Sequence, residues 1–373
     1  MMASDYIIWF EAYEEEHRPR VGGKNASLGT MMKAGLPVPP GFAVTTDAFE
    51  ILRTHTETRA RVNHLLQRID LTDPIELRQI ASEIRKLIEE IPMDQGVEDQ
   101  IRHAYQVLCE RCGLERIPVA VRSSATAEDL PNASFAGQQD TYLWVMGEAA
   151  VIDHVKKCWS SLFTDRAIAY RHEMGFDDEI ISMSVAVQKM VDPKAAGVAF
   201  TLNPSNGDRS QVAIDASWGL GEAVVGGEVT PDNYLVDKVI KEIVGRIISP
   251  KTIEYRVTDS DSVEKVEVEE ERQLIQCLTD DEIKAVAAMA RRAERYYGKP
   301  QDLEWAIDRH LPPGENVLLL QARPETVWSR KAAVPISQPE DNLTSIVATL
   351  LSPIHARETK PTDPKSTTYP ASK

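Results

Sequence analysis

Positive charge is scarce in this sequence. Its 373 residues carry 42 lysines and arginines against 58 aspartates and glutamates, a formal net charge of −16. A field of that sign repels a polyanion, so no nucleic-acid partner is expected, although a locally basic cleft can still hold a nucleotide. Cysteine is scarce as well: Cys109, Cys112, Cys158 and Cys277 are too few for a disulfide scaffold and fit a reducing, cytoplasmic setting. Cys109 and Cys112 form a CxxC, but no second CxxC or HxxxH completes a tetrahedral zinc set, so packing cysteines are expected there. No run of 18 apolar residues is present, so no membrane is expected, and no basic-then-apolar leader is read at the N-terminus. Two phosphate-binding signatures are missing too. There is no GxxxxGK[ST], and the glycine-rich stretch Gly219 to Gly227 (GLGEAVVGG) is followed by no βαβ unit with a ribose-binding acid, which excludes P-loop and Rossmann readings.

What the sequence does hold is a core. With 42% apolar and 27% charged residues it is an ordinary globular composition, and its length exceeds what one hydrophobic core organises, so two or three lobes are expected. A Gly- and Pro-rich block, VGGKNASLGTMMKAGLPVPPGFAVTT, reads as turns around one short helix that begins just after Gly23 and sets Lys24 at its positive end. From Thr46 to Cys112, apolar residues recur at three- and four-residue intervals, the pattern of packing helices. A strand at Ile117 to Arg122 runs into the small, polar stretch SSATAEDLPNASFAGQQDTYLWV, and a strand resumes at Tyr142 to Val145. Helix is expected over Val151 to Met174 and Asp280 to Tyr297. Strands are expected at Ser184 to Met190, Gly197 to Thr201, Gln211 to Ala216, Asn233 to Val239 and Leu318 to Gln321. From Arg330 onward prolines crowd into an extended tail.

Several residues suit a phosphate-rich ligand. Gly22, Gly23 and Lys24 offer a mobile backbone and a cation; Arg122, Ser123 and Ser124 offer a forked donor and two hydroxyls at a strand end; SFAGQQ (Ser134 to Gln139) offers small residues able to close over phosphate oxygens. Glu304 in DLEWAI, and Gln321 with Arg323 in LLLQARP, lie on two apolar segments able to pair as antiparallel strands, with Gln321 and Arg323 on one face.

Taken in order, VGGKNASLGTM, PVPPGFAVTT, VAVRSSATAEDLPNASFAGQQDTYLWV, AGVAFTLNP, SWGLGEAVVGGEVTPDNY and QDLEWAID with LLLQARPETV resemble the ATP-binding portion of the phosphoenolpyruvate synthase (pyruvate, water dikinase) family, over about residues 5 to 328. The resemblance implies an α/β (α+β) chain of ATP-grasp fold. Two lobes, residues 1–183 and 184–329, would clamp the nucleotide, with a helical insertion over about 47–113 and a tail at 330–373. It implies ATP and Mg²⁺ as cofactors. Lys24, Arg122 and Arg323 match the phosphate-contacting cations, with Ser123 and Ser124 beside them; Glu304 and Gln321 match the metal-coordinating pair. Glu222 falls at a nucleotide-side acid, expected near the ribose. Gln188, Lys189 and Met190 match the inter-lobe strand whose backbone meets the adenine. Asn132 to Gln139, with Ser134, Gly137 and Gln138, matches the phosphate lid, and Arg166 a supporting basic position.

In that family a phosphorylatable histidine and an acceptor domain follow the nucleotide portion. None of the eight histidines here lies in the family's acceptor context; His355, in SPIHARE, is expected to be an ordinary surface histidine. The arrangement resembles the ATP-binding subunit of phenylphosphate synthase, which implies a separate partner subunit bearing the histidine and acceptor domains. Two other readings stay open: a stand-alone ligase that forms an acyl phosphate, and a regulatory subunit that only binds nucleotide.

Overall fold

The computed structural model describes residues 5–126, 140–173, 182–258 and 261–328. The described residues fall in one compact unit. The expected lid residues Ser134, Gly137 and Gln138, and the tail with His355, lie outside the described residues.

The first sheet is five-stranded: β1 (Ile7–Trp9), β2 (Gly41–Val44), β3 (Pro118–Ala125), β4 (Thr141–Met146) and β5 (Met183–Lys189), in the order β1-β2-β5-β3-β4, all antiparallel. Around it lie α1 (Arg18–Lys33), α2 (Thr46–Arg53), α3 (Thr56–Leu66), α4 (Pro74–Glu90), α5 (Gln95–Arg111), α6 (Glu148–Ser160) and α7 (Asp165–Glu173). Asp73 and Asp94 start α4 and α5 by accepting from the backbone N–H groups two and three residues ahead. α2 to α5 occupy the expected helical stretch between β2 and β3. Cys109, near the end of α5, is buried in the core of this half, and Cys112 caps that helix.

The second sheet has six strands: β6 (Pro193–Phe200), β7 (Gln211–Trp218), β8 (Asp232–Asp237), β9 (Ile243–Ile247), β12 (Gln301–Asp308) and β13 (Val317–Pro324), in the order β13-β12-β6-β7-β8-β9. The short α8 (Glu222–Val225) follows β7. A separate hairpin, β10 (Ile253–Val257) with β11 (Val263–Glu267), leads through α9 (Glu270–Gln273) to α10 (Asp280–Tyr297). The bounds of α10 follow from local chemistry: Thr279 and Glu282 form a reciprocal capping box, and Gly298 closes the other end at φ +67°. Its apolar face (Ile283, Val286, Ala290, Ala293) packs with Trp305, Leu303 and Ile214 in one core that also takes in Leu28 and Met31 of α1.

Three expectations need correction. The Gly/Pro block contains a strand, β2, whose four residues are all buried, and β1 pairs with it in a stretch not read as strand. The strand expected through Val239 ends at Asp237, whose carboxylate turns back to accept from Val239 N–H and Ile240 N–H. A lobe division between residues 183 and 184 would also cut β5 from the sheet it completes, since β5 lies between β2 and β3; the chain changes sheets between Lys189 and Pro193.

Candidate active-site cleft

A cavity of about 490 Å³ lies between the two sheets, and nine of the expected site residues line it: Lys24, Arg122, Gln188, Lys189, Met190, Glu222, Glu304, Gln321 and Arg323. Lys24 reaches it because α1 is broken at Gly22, which sits at φ +70° and ψ 175°. A Cβ there would stand 2.5 Å from the Ser124 carbonyl oxygen, so both the backbone conformation and the close approach require glycine. Helix resumes at once, and Lys24 Nζ donates to the Ser123 carbonyl at 3.1 Å.

Ser123 and Ser124 do not join the cleft. Both are fully buried. Ser124 Oγ donates to Val21 O (2.9 Å) and accepts from Asn25 N–H (3.4 Å), while Ser123 Oγ donates to Asp140 O (3.1 Å). The Ser124 hydroxyl seats the broken helix that presents Lys24, and the Ser123 hydroxyl ties β3 to the start of β4. Asn25 extends the same brace, donating to Val21 O and Ser184 Oγ at 3.0 Å each. Arg166 stands exposed on α7 and does not line the cleft.

At the charged end, β12 and β13 pair so that Glu304 lies opposite Gln321, and a bulge immediately afterwards shifts the register at Trp305. Arg122 crosses from the first sheet to this pair. Its Nη2 donates to Gln321 Oε1 at 2.8 Å and lies 3.7 Å from Glu304 Oε2, the two charged side chains being 16% and 27% exposed. Asp302 shares the face of Glu304 and pairs in register with Arg323. Burial pushes its carboxyl up to about 6; the Glu304 charge adds to the rise and Arg323 opposes it. Sequence reasoning missed Asp302, although the i, i+2 spacing in DLE carried the signal. Glu222, in the first turn of α8, is raised by burial, with Arg122 lowering and Glu304 raising it further. The expected nucleotide-side acid therefore sits within the field of the charged cluster.

The other end is apolar. Ala120, Met190 and Leu220 form a small buried cluster with Leu143, Trp144 and Tyr255 around it. The Lys189 and Met190 N–H groups donate to Pro40 O and Pro118 O, both at 2.9 Å, and the Gln188 side chain donates to Pro39 O. These two N–H groups are thus satisfied within the protein. The β10 hairpin closes over this end: Leu220 N–H donates to Tyr255 O at 2.8 Å, and Gly219, at φ +70°, leaves room for that carbonyl, which a Cβ would meet at 2.2 Å.

The family described as "Pyruvate phosphate dikinase, AMP/ATP-binding domain" matches residues 18–343. The chain belongs to this family. The dikinase family match opens at the first residue of α1 and takes in every cleft residue named above. Among its relatives, a protein named "Probable phosphoenolpyruvate synthase" from Staphylothermus marinus is 45% identical over 347 residues, 87% of this chain and 42% of the relative. One of the same name from Methanocaldococcus jannaschii is 43% identical, covering 90% of this chain and 28% of the relative. "Phosphoenolpyruvate synthase" from Aeropyrum pernix is 41% identical over 360 residues, 90% of this chain and 44% of the relative. The chain spans less than half the length of these curated relatives.

The donor set suits a hard cation. Glu304 offers a carboxylate and Gln321 an amide oxygen on facing positions of one strand pair. Among the described residues no three Asp, Glu, His or Cys side chains gather into a metal cage, so a cation here would rest on two protein oxygens together with phosphate oxygens of a ligand, a pattern that suits Mg²⁺.

Proposed function

We propose that the cleft holds Mg–ATP in the manner of an ATP-grasp enzyme and passes the β-phosphate, as a pyrophosphoryl group, to a histidine on a partner subunit, with release of AMP. The observation that supports this best is the convergence of Lys24, Arg122 and Arg323 on the same cavity as Glu304 and Gln321. A triphosphate carries about four negative charges, and three fixed cations offset most of them in a partly buried site. Glu304 and Gln321 would hold the magnesium ion, which supplies further neutralisation of the phosphates when bound. Arg122, now resting on Gln321 and Glu304, would turn its remaining donors to phosphate oxygens, while the Ser123 carbonyl keeps Lys24 aimed at them.

In the transfer an imidazole nitrogen attacks the β-phosphorus, and the bond to the α,β-bridging oxygen breaks with its electron pair leaving on AMP. No side chain of this chain acts as a nucleophile; its contribution is positioning and charge. Hydrolytic loss of the terminal phosphate then leaves a phosphohistidine, which phosphorylates pyruvate or a phenol on the partner. Mixing the chain with the histidine-bearing polypeptide and ATP tests this directly. The expected products are AMP and labelled partner, both abolished in Glu304→Ala. ADP without AMP would overturn the dikinase chemistry and favour a ligase.

A further inference from the structure

A second cavity, of about 180 Å³, is lined by Lys194, Trp218, Glu254, Arg256, Arg272 and Arg309. Four cations and one carboxylate around a void is an unusual wall for a chain whose net charge is −16. Acids adjoining the cavity, outside its lining, set three of the cations in place. Glu282 holds Lys194 with both oxygens at 2.8 Å, and Asp192 holds Arg309 at 3.1 Å. Glu269 and the lining carboxylate Glu254 hold Arg272, at 2.9 and 3.2 Å, over the face of Trp218 at 4.8 Å. Arg256, half exposed, comes no closer than 3.9 Å to Glu254. A guanidinium has five N–H donors; Arg309 turns its Nε toward Asp192 and one Nη toward Pro193 O, which leaves others of its N–H groups to meet a ligand. Lys194 and Arg272 are thus neutralised by their acids, while the loosely paired Arg256 and the outward N–H groups of Arg309 are left to meet an anion, and preset guanidinium forks match the oxygens of phosphates and carboxylates.

We propose that this cavity is a binding site for a small dianion bearing a phosphate or a pair of carboxylates. Arg256 and Arg309 supply the donors at the rim, and Arg272, stacked on Trp218, stands behind them. The site backs onto the cleft across a single strand. β10 turns Tyr255 toward the cleft and Glu254 and Arg256 toward the second cavity, as alternation dictates. The start of β6 is shared in the same way, Pro193 facing the cleft and Lys194 the second cavity.

Calorimetric titration of the full chain at low ionic strength, with inorganic phosphate in one arm and succinate in the other, tests the site. Saturable binding in either arm is expected, and the arm that binds identifies the anion class. Binding should weaken by about tenfold or more in Arg256→Gln, the loss of one charged hydrogen bond, and further with Arg309→Gln added. It should persist in Arg122→Met, a residue that lines the first cavity and not the second. Arg256→Gln is the decisive variant, because this side chain is half exposed and buries no partner charge beyond a distant Glu254. Absence of binding in both arms would overturn the proposal, as would binding lost in Arg122→Met but kept in Arg256→Gln with Arg309→Gln, since the anion would then sit in the cleft.

Discussion

Asp232 opens β8, a short connection after α8, and it is the hub of a fully buried polar cluster. Its Oδ1 accepts from Lys251 Nζ at 2.6 Å and Ser249 N–H at 3.1 Å; its Oδ2 accepts from Cys277 N–H at 3.0 Å and Tyr234 O–H at 3.1 Å. Both charged side chains have no exposure at all. The two single variants should therefore differ in size. Lys251→Met leaves the carboxylate with three neutral donors, and breaking a buried pair in this way costs about 3 kcal/mol. Asp232→Ala leaves the buried ammonium with only the Ser249 carbonyl at 2.9 Å and strips two backbone N–H groups of their acceptor. That cost is about 5 kcal/mol or more, a large part of the 5–15 kcal/mol typical of a whole domain. The double variant Asp232→Ala with Lys251→Met should be less destabilised than the sum of its singles by about 2 kcal/mol, because neither charge is then left alone. Urea unfolding followed by far-ultraviolet circular dichroism and tryptophan fluorescence measures all three. A cost under about 1 kcal/mol for Asp232→Ala, or additivity in the double variant, would refute the reasoning.

Arg122→Met should lower the affinity for a magnesium–nucleotide complex by about 10- to 100-fold, the worth of one or two charged hydrogen bonds, with unchanged secondary structure; titration calorimetry with a non-hydrolysable analogue reads it. Gly22→Ala should cost about 2–3 kcal/mol, because the side chain meets the Ser124 carbonyl in a backbone conformation that disfavours it, and thermal melting would show the loss. Burial raises the Asp302 carboxyl to about 6, so the folded state takes up a proton that the unfolded chain releases near pH 4. This group's contribution to stability is thus fully present below about pH 4 and is lost as pH rises through 6, by about 1–3 kcal/mol in all; Asp302→Asn should flatten that window in urea titrations at pH 4.5 and 7.5.

Much of the site was legible before any coordinates. The two segments carrying Glu304, Gln321 and Arg323 do pair, and alternation does place Asp302 and Glu304 on one face and Gln321 and Arg323 on the other strand's matching face. α10 was readable to its end residues because its capping box and its C-terminal glycine lie within the helix's own neighbourhood. β1 and β2 were not. Gly41–Val44 is buried on both faces and so shows no alternation, and its partner Gln188 lies far along the chain. The roles of Ser123 and Ser124 were misread for a related reason: hydroxyls at a strand end look free until the helix break at Gly22 is seen packed on Ser124 and the Asp140 carbonyl is seen accepting from Ser123.

Sequence alone thus determined the helices, the paired strands of the acidic end, the family, and most of the residues that meet in the cleft, because each depends on chemistry within a few residues or on motifs kept in order. Only the tertiary structure decided that Arg122 rests on Gln321 and Glu304, that burial raises the Asp302 carboxyl, and that β10 divides two cavities. Those facts turn on distances between side chains a hundred or more residues apart, or on how deeply water is excluded, and no local pattern encodes either.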